Sequence, residues 1–226
     1  MRRAPAPALD LGVYVKAVPL LVRNPAIIVI PLLMAVIAVL VGMVTSVSSG
    51  GFIGGTTSGL AGFIVTLLQL FGLGAACLMA DDAWRNGKAS FDQGWSEARR
   101  RGGDILLTAL GVTLIFSVAQ YAGILIGNGY VGWILAFVVA VFLIFAIPAA
   151  AVGGVPGGAG IQASIDRVRA EPLPAILATI VTFALLRFAV PYLTLQLWTV
   201  LAPSIGDITI VYALIGALLQ AVVIGY

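Results

Sequence analysis

The chain has 226 residues, of which 61% are apolar and 9% charged, with a net charge of +3 and no histidine. An ordinary soluble domain carries about 25% charged residues, so this composition excludes a water-facing surface of normal extent. The small positive excess sits along the borders of apolar blocks and gives no footprint for nucleic acid.

Arg2, Arg3, Lys16 and Arg23 precede a block, residues 24–80, that contains no Asp, Glu, Lys or Arg. A helix needs roughly 20 apolar residues to cross ~30 Å of hydrocarbon. These 57 residues therefore hold two spans, predicted at 26–48 and 60–80, with a Gly/Ser/Thr loop between them. The first apolar run outlasts a signal-peptide core and is expected to stay as an anchor. Arg85, Lys88, Arg99, Arg100 and Arg101 precede a second charge-free block, residues 105–165, with spans predicted at 105–126 and 131–150. Arg167 and Arg169 precede the third block, which only Arg187 and Asp207 interrupt, with spans predicted at 174–198 and 206–224.

Eleven of the twelve basic residues fall on one side of this arrangement. Lys and Arg concentrate in cytoplasmic segments, so both termini are expected in the cytoplasm. Tyr121, Tyr130, Trp133, Tyr192 and Trp198 fall toward the other side, as amphipathic rings do at a membrane interface.

Each basic segment carries apolar residues spaced i, i+4, i+7, one face of a helix. They are Val13, Ala17 and Leu20, then Phe91, Trp95 and Ala98, then Ile161, Ile165 and Val168. Each ends in a basic residue and a breaker: Arg23-Asn24-Pro25, Arg101-Gly102-Gly103, and Arg169 followed by Pro172 and Pro174. Ser90 and Gln93 have the spacing of a capping box for the middle helix. The fold class expected is all-α and integral to the membrane: six transmembrane helices as three hairpins, each preceded by a short amphipathic interfacial helix. Residues 1–226 form a single transmembrane domain with a pseudo-threefold repeat of units near 9–80, 88–150 and 158–226. The alternative to a repeat is chance, since such spacing arises in any amphipathic loop.

Small residues let helices approach in lipid. Gly72, Ala76 and Ala80 form one stripe, Ala146, Ala150 and Gly154 another, and Ala213, Ala217 and Ala221 a third, while Gly123 and Gly127 make a GxxxG. Internal packing is the expected use, ahead of a dimer interface.

Reactive chemistry is sparse. Without histidine the usual general base and commonest metal ligand are missing, and the single Cys77 cannot hold a thiolate metal site. Gly127, Gly129 and Gly132 spell GxGxxG, but in an uncharged turn between spans rather than after a strand. Asp81 and Asp82 match neither DDxxD nor DxxDGxxAR and read as the solvated exit of a span. No catalytic residue, metal or cofactor is expected.

Two sets of site residues remain. Arg99, Arg100 and Arg101, with Trp95 and Phe91, form an expected contact with anionic lipid headgroups; the bland reading is orientation by the positive-inside rule alone. Arg187, about 20 Å into its span at ~1.5 Å per residue, needs a partner, and Asp207 is the acidic residue in reach, with Pro191 kinking the helix one turn on.

The stretch Ser90 to Arg101 followed by Asp104-Ile-Leu-Leu, and more faintly Ile161 to Arg169 followed by Pro174-Ala-Ile-Leu, resembles a loose group of bacterial six-span membrane domains. That group includes the membrane domain attached to some glycerophosphodiester phosphodiesterases and related uncharacterised membrane proteins. The resemblance implies a six-helix domain in the bacterial inner (plasma) membrane; no phosphodiesterase chemistry transfers, because that catalytic domain has no counterpart in this sequence. The function expected is a non-catalytic scaffold or accessory subunit of a membrane complex, with lipids, other membrane subunits or further copies of the chain as partners. The alternative is a small-solute channel or transporter, for which Gln69, Gln120, Gln196, Gln220 and Arg187 are the sizeable polar candidates.

Overall fold

A computed structural model of the chain describes residues 12–47, 52–126, 129–205 and 209–225. Every regular element among them is helical: α1 (Gly12–Arg23), α2 (Ala26–Val47), α3 (Phe52–Asn86), α4 (Phe91–Arg100), α5 (Gly102–Leu125), α6 (Gly129–Leu143), α7 (Ala146–Ala151), α8 (Gly157–Ala170), α9 (Pro172–Ala184), α10 (Val190–Ile205) and α11 (Thr209–Gly225). A π-helical turn, Leu185–Ala189, joins α9 to α10.

Five stretches are long and apolar enough to cross a membrane: Ala26–Val44, Leu60–Asn86, Gly102–Gly123, Tyr130–Ala151 and Pro172–Pro203. The sixth apolar helix, over Ile210–Gly225, is shorter. Three boundaries differ from expectation. Residues from Phe52 onward, expected as loop, already belong to α3. Span four is not one helix but two, interrupted at Ile144 and Phe145 between α6 and α7. Span five extends over the whole of Pro172–Pro203, with its irregularity placed before Pro191. Proline has no N–H to give the carbonyl four residues back, at Arg187, and the backbone there takes up wider π turns, in which the Val190 N–H bonds to the Leu185 carbonyl.

The long helices pack in sequence around the bundle. α2 lies on α3, α3 on α5, α5 on α6, α6 on α9 and α10 on α11, and α11 returns to α2. The closest approaches use the small-residue stripes. Gly72 fits against Pro31 and Met34 of α2, Ala76 lies in the main core with Ile27, Ile30, Met79 and Ile105, and Ala217 and Ala221 are buried on α11. A methyl group on Gly123 would overlap the backbone of Gly132, so the α5–α6 hairpin closes on two glycines. Gly127, the other half of the expected GxxxG, is outside the described residues.

The three short helices gather at one end of the bundle. α4 sits on α3 with contacts to α2 and α5, and α8 sits on α5, α6 and α7 with contacts to α9. Gly87, at φ +79°, ends α3 with its N–H bonded to the Ala83 carbonyl, a left-handed conformation that glycine takes without a Cβ penalty. Ser90 occupies the N-cap of α4 with extended backbone, but its side chain makes no capping bond. The expected capping box is thus replaced by a bare N-cap; α4 starts at Phe91 because its apolar face has α3 to pack on.

Candidate functional site

The end of the bundle that carries the basic residues is held by polar ties from the short helices and their ends to neighbouring connectors. Asn24, 5% exposed, donates from Nδ2 to the Leu20 carbonyl at 3.0 Å and accepts from the Ala89 N–H at 2.9 Å. It thereby fastens the end of α1 to the strip of chain leading into α4. Arg101 does the same one unit on, donating from one guanidinium nitrogen to the carbonyls of Ala151 and Val152 at 2.7 and 3.1 Å. Those carbonyls close α7, where a cation also complements the helix dipole. Ser164 of α8 donates to the Phe142 carbonyl at 2.7 Å and accepts from the Phe145 N–H at 3.2 Å. Two backbone groups freed by the α6–α7 break are so satisfied inside a buried contact.

Phe91 and Trp95 stack with ring planes 5° apart and centroids 6.4 Å apart. Both pack against the core cluster around Met79, Ala83 and Ala98. Gly94, buried between them, lets α4 settle directly on Met79. On the opposite face Asp92, Gln93, Arg99 and Arg100 are exposed. Glu97 joins the two faces: it accepts from Arg100 at 2.6 and 2.9 Å and from Arg101 at 2.7 Å. The hydrogen bond from Arg100, followed by that from Arg101, holds its carboxyl below the usual carboxylate range. Of the five residues expected at lipid headgroups, the structure therefore places Arg99 and Arg100 outward, Arg101 inward on α7, and Phe91 and Trp95 against protein. Asp81 and Asp82 accept from Arg85 Nε at 2.9 Å and Asn86 Nδ2 at 2.6 Å. Among the described residues no three His, Cys, Asp or Glu side chains are grouped to hold a metal.

Arg187 lies in the π turn, exposed, with its guanidinium carbon 6.0 Å from the Trp133 ring centroid. Phe183 makes edge contacts with Phe137 of α6 and Phe188 of the turn, fixing this corner by aromatic packing. Asp207, the expected ion-pair partner, is outside the described residues. The Trp133 contact is not legible in the sequence, where Arg187 and Trp133 stand 54 residues apart in separate apolar runs.

Two cavities lie among the long helices and share part of their lining. An inner one of about 460 Å³ is bounded by α3, α7, α9, the π turn and α11, and includes Leu73, Phe145, Pro148 and Leu185. An outer one of about 380 Å³ lies among α2, α3, α10 and α11, and includes Ala38, Thr194 and Tyr212. Gln69 and Gln220 line both. A third cavity, of about 430 Å³ between α3, α5 and α6, has Thr66, Thr113, Ser117 and Gln120 on its wall. Gln196 is exposed on α10. The sequence singles out Gln69 and Gln220 only individually; the packing of α11 against α3 brings both to the walls of the same two cavities. No protein-family profile, curated protein or solved structure matches this chain.

Proposed function

We propose that the chain is a non-catalytic membrane scaffold or accessory subunit, anchored by six spans arranged as three related hairpin units in a bacterial inner membrane. The carrying observation is the set of short helices at the basic end. α4 and α8 are fastened to the bundle by Arg101 and Ser164, and present charged outer faces: Asp92, Arg99 and Arg100 on one, Asp166, Arg167 and Arg169 on the other. A rigid charged rim of this kind suits docking beside headgroups and partner subunits better than it suits catalysis.

The matching positions of Asn24 and Arg101, each just past a short helix and each bonded to the next connector, favour a true repeat over chance. They add to the resemblance with the membrane domains accompanying phosphodiesterases. Purification of the full chain in mild detergent followed by native mass spectrometry tests the scaffold reading. A stoichiometric membrane partner supports it, and a partner-free chain that passes solute in vesicles defeats it. The proposed orientation is tested by single cysteines at Ser58, Asn128 and Lys88 in a Cys77→Ala background. An impermeant thiol reagent applied to intact cells should label the first two and spare Lys88.

A channel or transporter is the second reading, favoured by the two cavities that share Gln69 and Gln220. Solute flux in proteoliposomes that Gln69→Leu abolishes would install it in place of the first.

A further inference from the structure

The two glutamines raise a question that a scaffold role leaves unanswered. Gln69 lies nine residues from Leu60 and seventeen from Asn86, the ends of its apolar stretch, or ~14 and ~26 Å at ~1.5 Å per residue. It is well inside the span. A primary amide there carries two donors and an acceptor oxygen, and lipid tails satisfy none of them. Among the described residues neither Gln69 nor Gln220 makes a side-chain hydrogen bond, and neither amide is sealed in protein. Both instead border the same open volumes.

We propose that the inner cavity, with Gln69 and Gln220 both on its wall, binds a neutral, lipid-soluble molecule whose carbonyl or hydroxyl group is held by the two amides. The inner cavity, at about 460 Å³, has the size of ordinary small-molecule sites, which are mostly apolar with a few convergent polar groups. Leu70, Leu73, Phe145, Leu185 and Leu186 supply the apolar wall. Among the described residues no Asp, Glu, Lys or Arg lines either cavity, which favours a neutral ligand over one that would need a counter-ion there. An amide donates to a carbonyl and accepts from a hydroxyl equally well, which sets the class of polar group but not its oxidation state. Thr182 and Val181 on the inner wall are exposed, so entry from the membrane is open to a molecule already dissolved there. The inference stands independently of the scaffold reading, since neither glutamine belongs to the charged rim.

The test uses the purified full chain at fixed detergent concentration and two tritiated probes of like shape: a short-chain alkyl benzoquinone, and the alkylbenzene without its oxygens. The quinone should be retained about tenfold more tightly than the hydrocarbon, the equivalent of one to two hydrogen bonds. Gln69→Leu and Gln220→Leu should each lower quinone retention by about three- to tenfold and leave the hydrocarbon unaffected. Gln120→Leu, in the third cavity, should change neither. The ligand-free Leu variants are expected to melt no lower than wild type, because an unpaired amide is replaced by an apolar group; Gln69→Met is the second variant should Leu not fold. Equal retention of the two probes, or quinone retention indifferent to both glutamines, overturns the proposal. So does flux of a hydrophilic solute that Gln69→Leu abolishes, which would make the amides the lining of a pore.

Discussion

The most apolar 18-residue windows of Leu60–Asn86 and of Pro172–Pro203 have the same mean hydropathy, yet 33% of the first is buried within the protein against 11% of the second. Apolarity alone does not decide how tightly a span is held. α3 carries Gly72, Gly74, Ala75, Ala76, Ala80 and Ala83 along its length, and Ala75, Ala76 and Ala83 are in the core. Residues 190–201 of α10 contain no Gly, Ala or Ser, and Tyr192, Leu193, Leu195, Leu197 and Val200 remain exposed. Burying Leu against Leu gains little over lipid, whereas small residues bring backbones together and gain dispersion contacts. Span five, Pro172–Pro203, is therefore the more loosely held wall of the bundle, and it borders both glutamine-bearing cavities.

The largest effect that would test this contrast is steric. Gly123→Val pushes against the Gly132 backbone and should destabilise the purified protein by about 1–3 kcal/mol or more, read as a lowered Tm in detergent. Gly216→Ala, in the last hairpin, meets Thr194 at an ordinary 3.6 Å and should be neutral or stabilising by up to about 1 kcal/mol, since glycine is a poor helix former. Equal losses at the two sites would erase the distinction between the tight α5–α6 contact and the looser contact of α11 with α10.

Next in size are the ties at the basic end. Arg101→Leu and Ser164→Ala should each cost about 1–3 kcal/mol by leaving backbone groups unpaired, with faster hydrogen exchange confined to α4 for the first and to the α6–α7 break for the second. Exchange unchanged in α4 would mean that Phe91 and Trp95 alone hold it. Smaller still is the corner at the π turn. A double-mutant cycle of Arg187→Leu with Trp133→Leu should return a coupling of about 0.5–1 kcal/mol. A parallel cycle with Asp207→Ala measures the ion pair expected from sequence, and strict additivity there removes it.

The smallest expected effect concerns pH. Glu97 is held ionised by Arg100 and Arg101, so its folded-state pKa lies below that of the unfolded chain. Its contribution is complete above the ordinary glutamate pKa of about 4.3 and disappears as pH falls through the lowered value. Hydrogen exchange in α4 should therefore accelerate below about pH 4, and Glu97→Gln should remove that dependence.

The charge-free blocks located the apolar helices, though not all of their ends, because hydrocarbon tolerates neither charge nor an unpaired backbone and so writes both constraints into composition. The i, i+4, i+7 pattern likewise located α4 and α8, whose apolar faces Phe91-Trp95-Ala98 and Ile161-Ile165-Val168 lie on regular helices. What those faces touch was not legible. A stripe beside three arginines has one sequence signature whether or not it also meets protein, and only the tertiary structure shows that Phe91 and Trp95, each partly buried, pack on the core around Met79. The division of span four has a local cause in Pro148, which has no N–H for the Ile144 carbonyl and whose ring crowds it; what the local run does not show is that Ser164, about twenty residues later, meets the freed groups of Phe142 and Phe145. The convergence of Gln69 and Gln220 on the same cavities is of the same kind. Sequence by itself determined which segments must leave water, since that depends on each segment's own transfer free energy. Tertiary structure decided which polar groups found partners and which were left facing a cavity, because a hydrogen bond depends on where two distant segments come to rest.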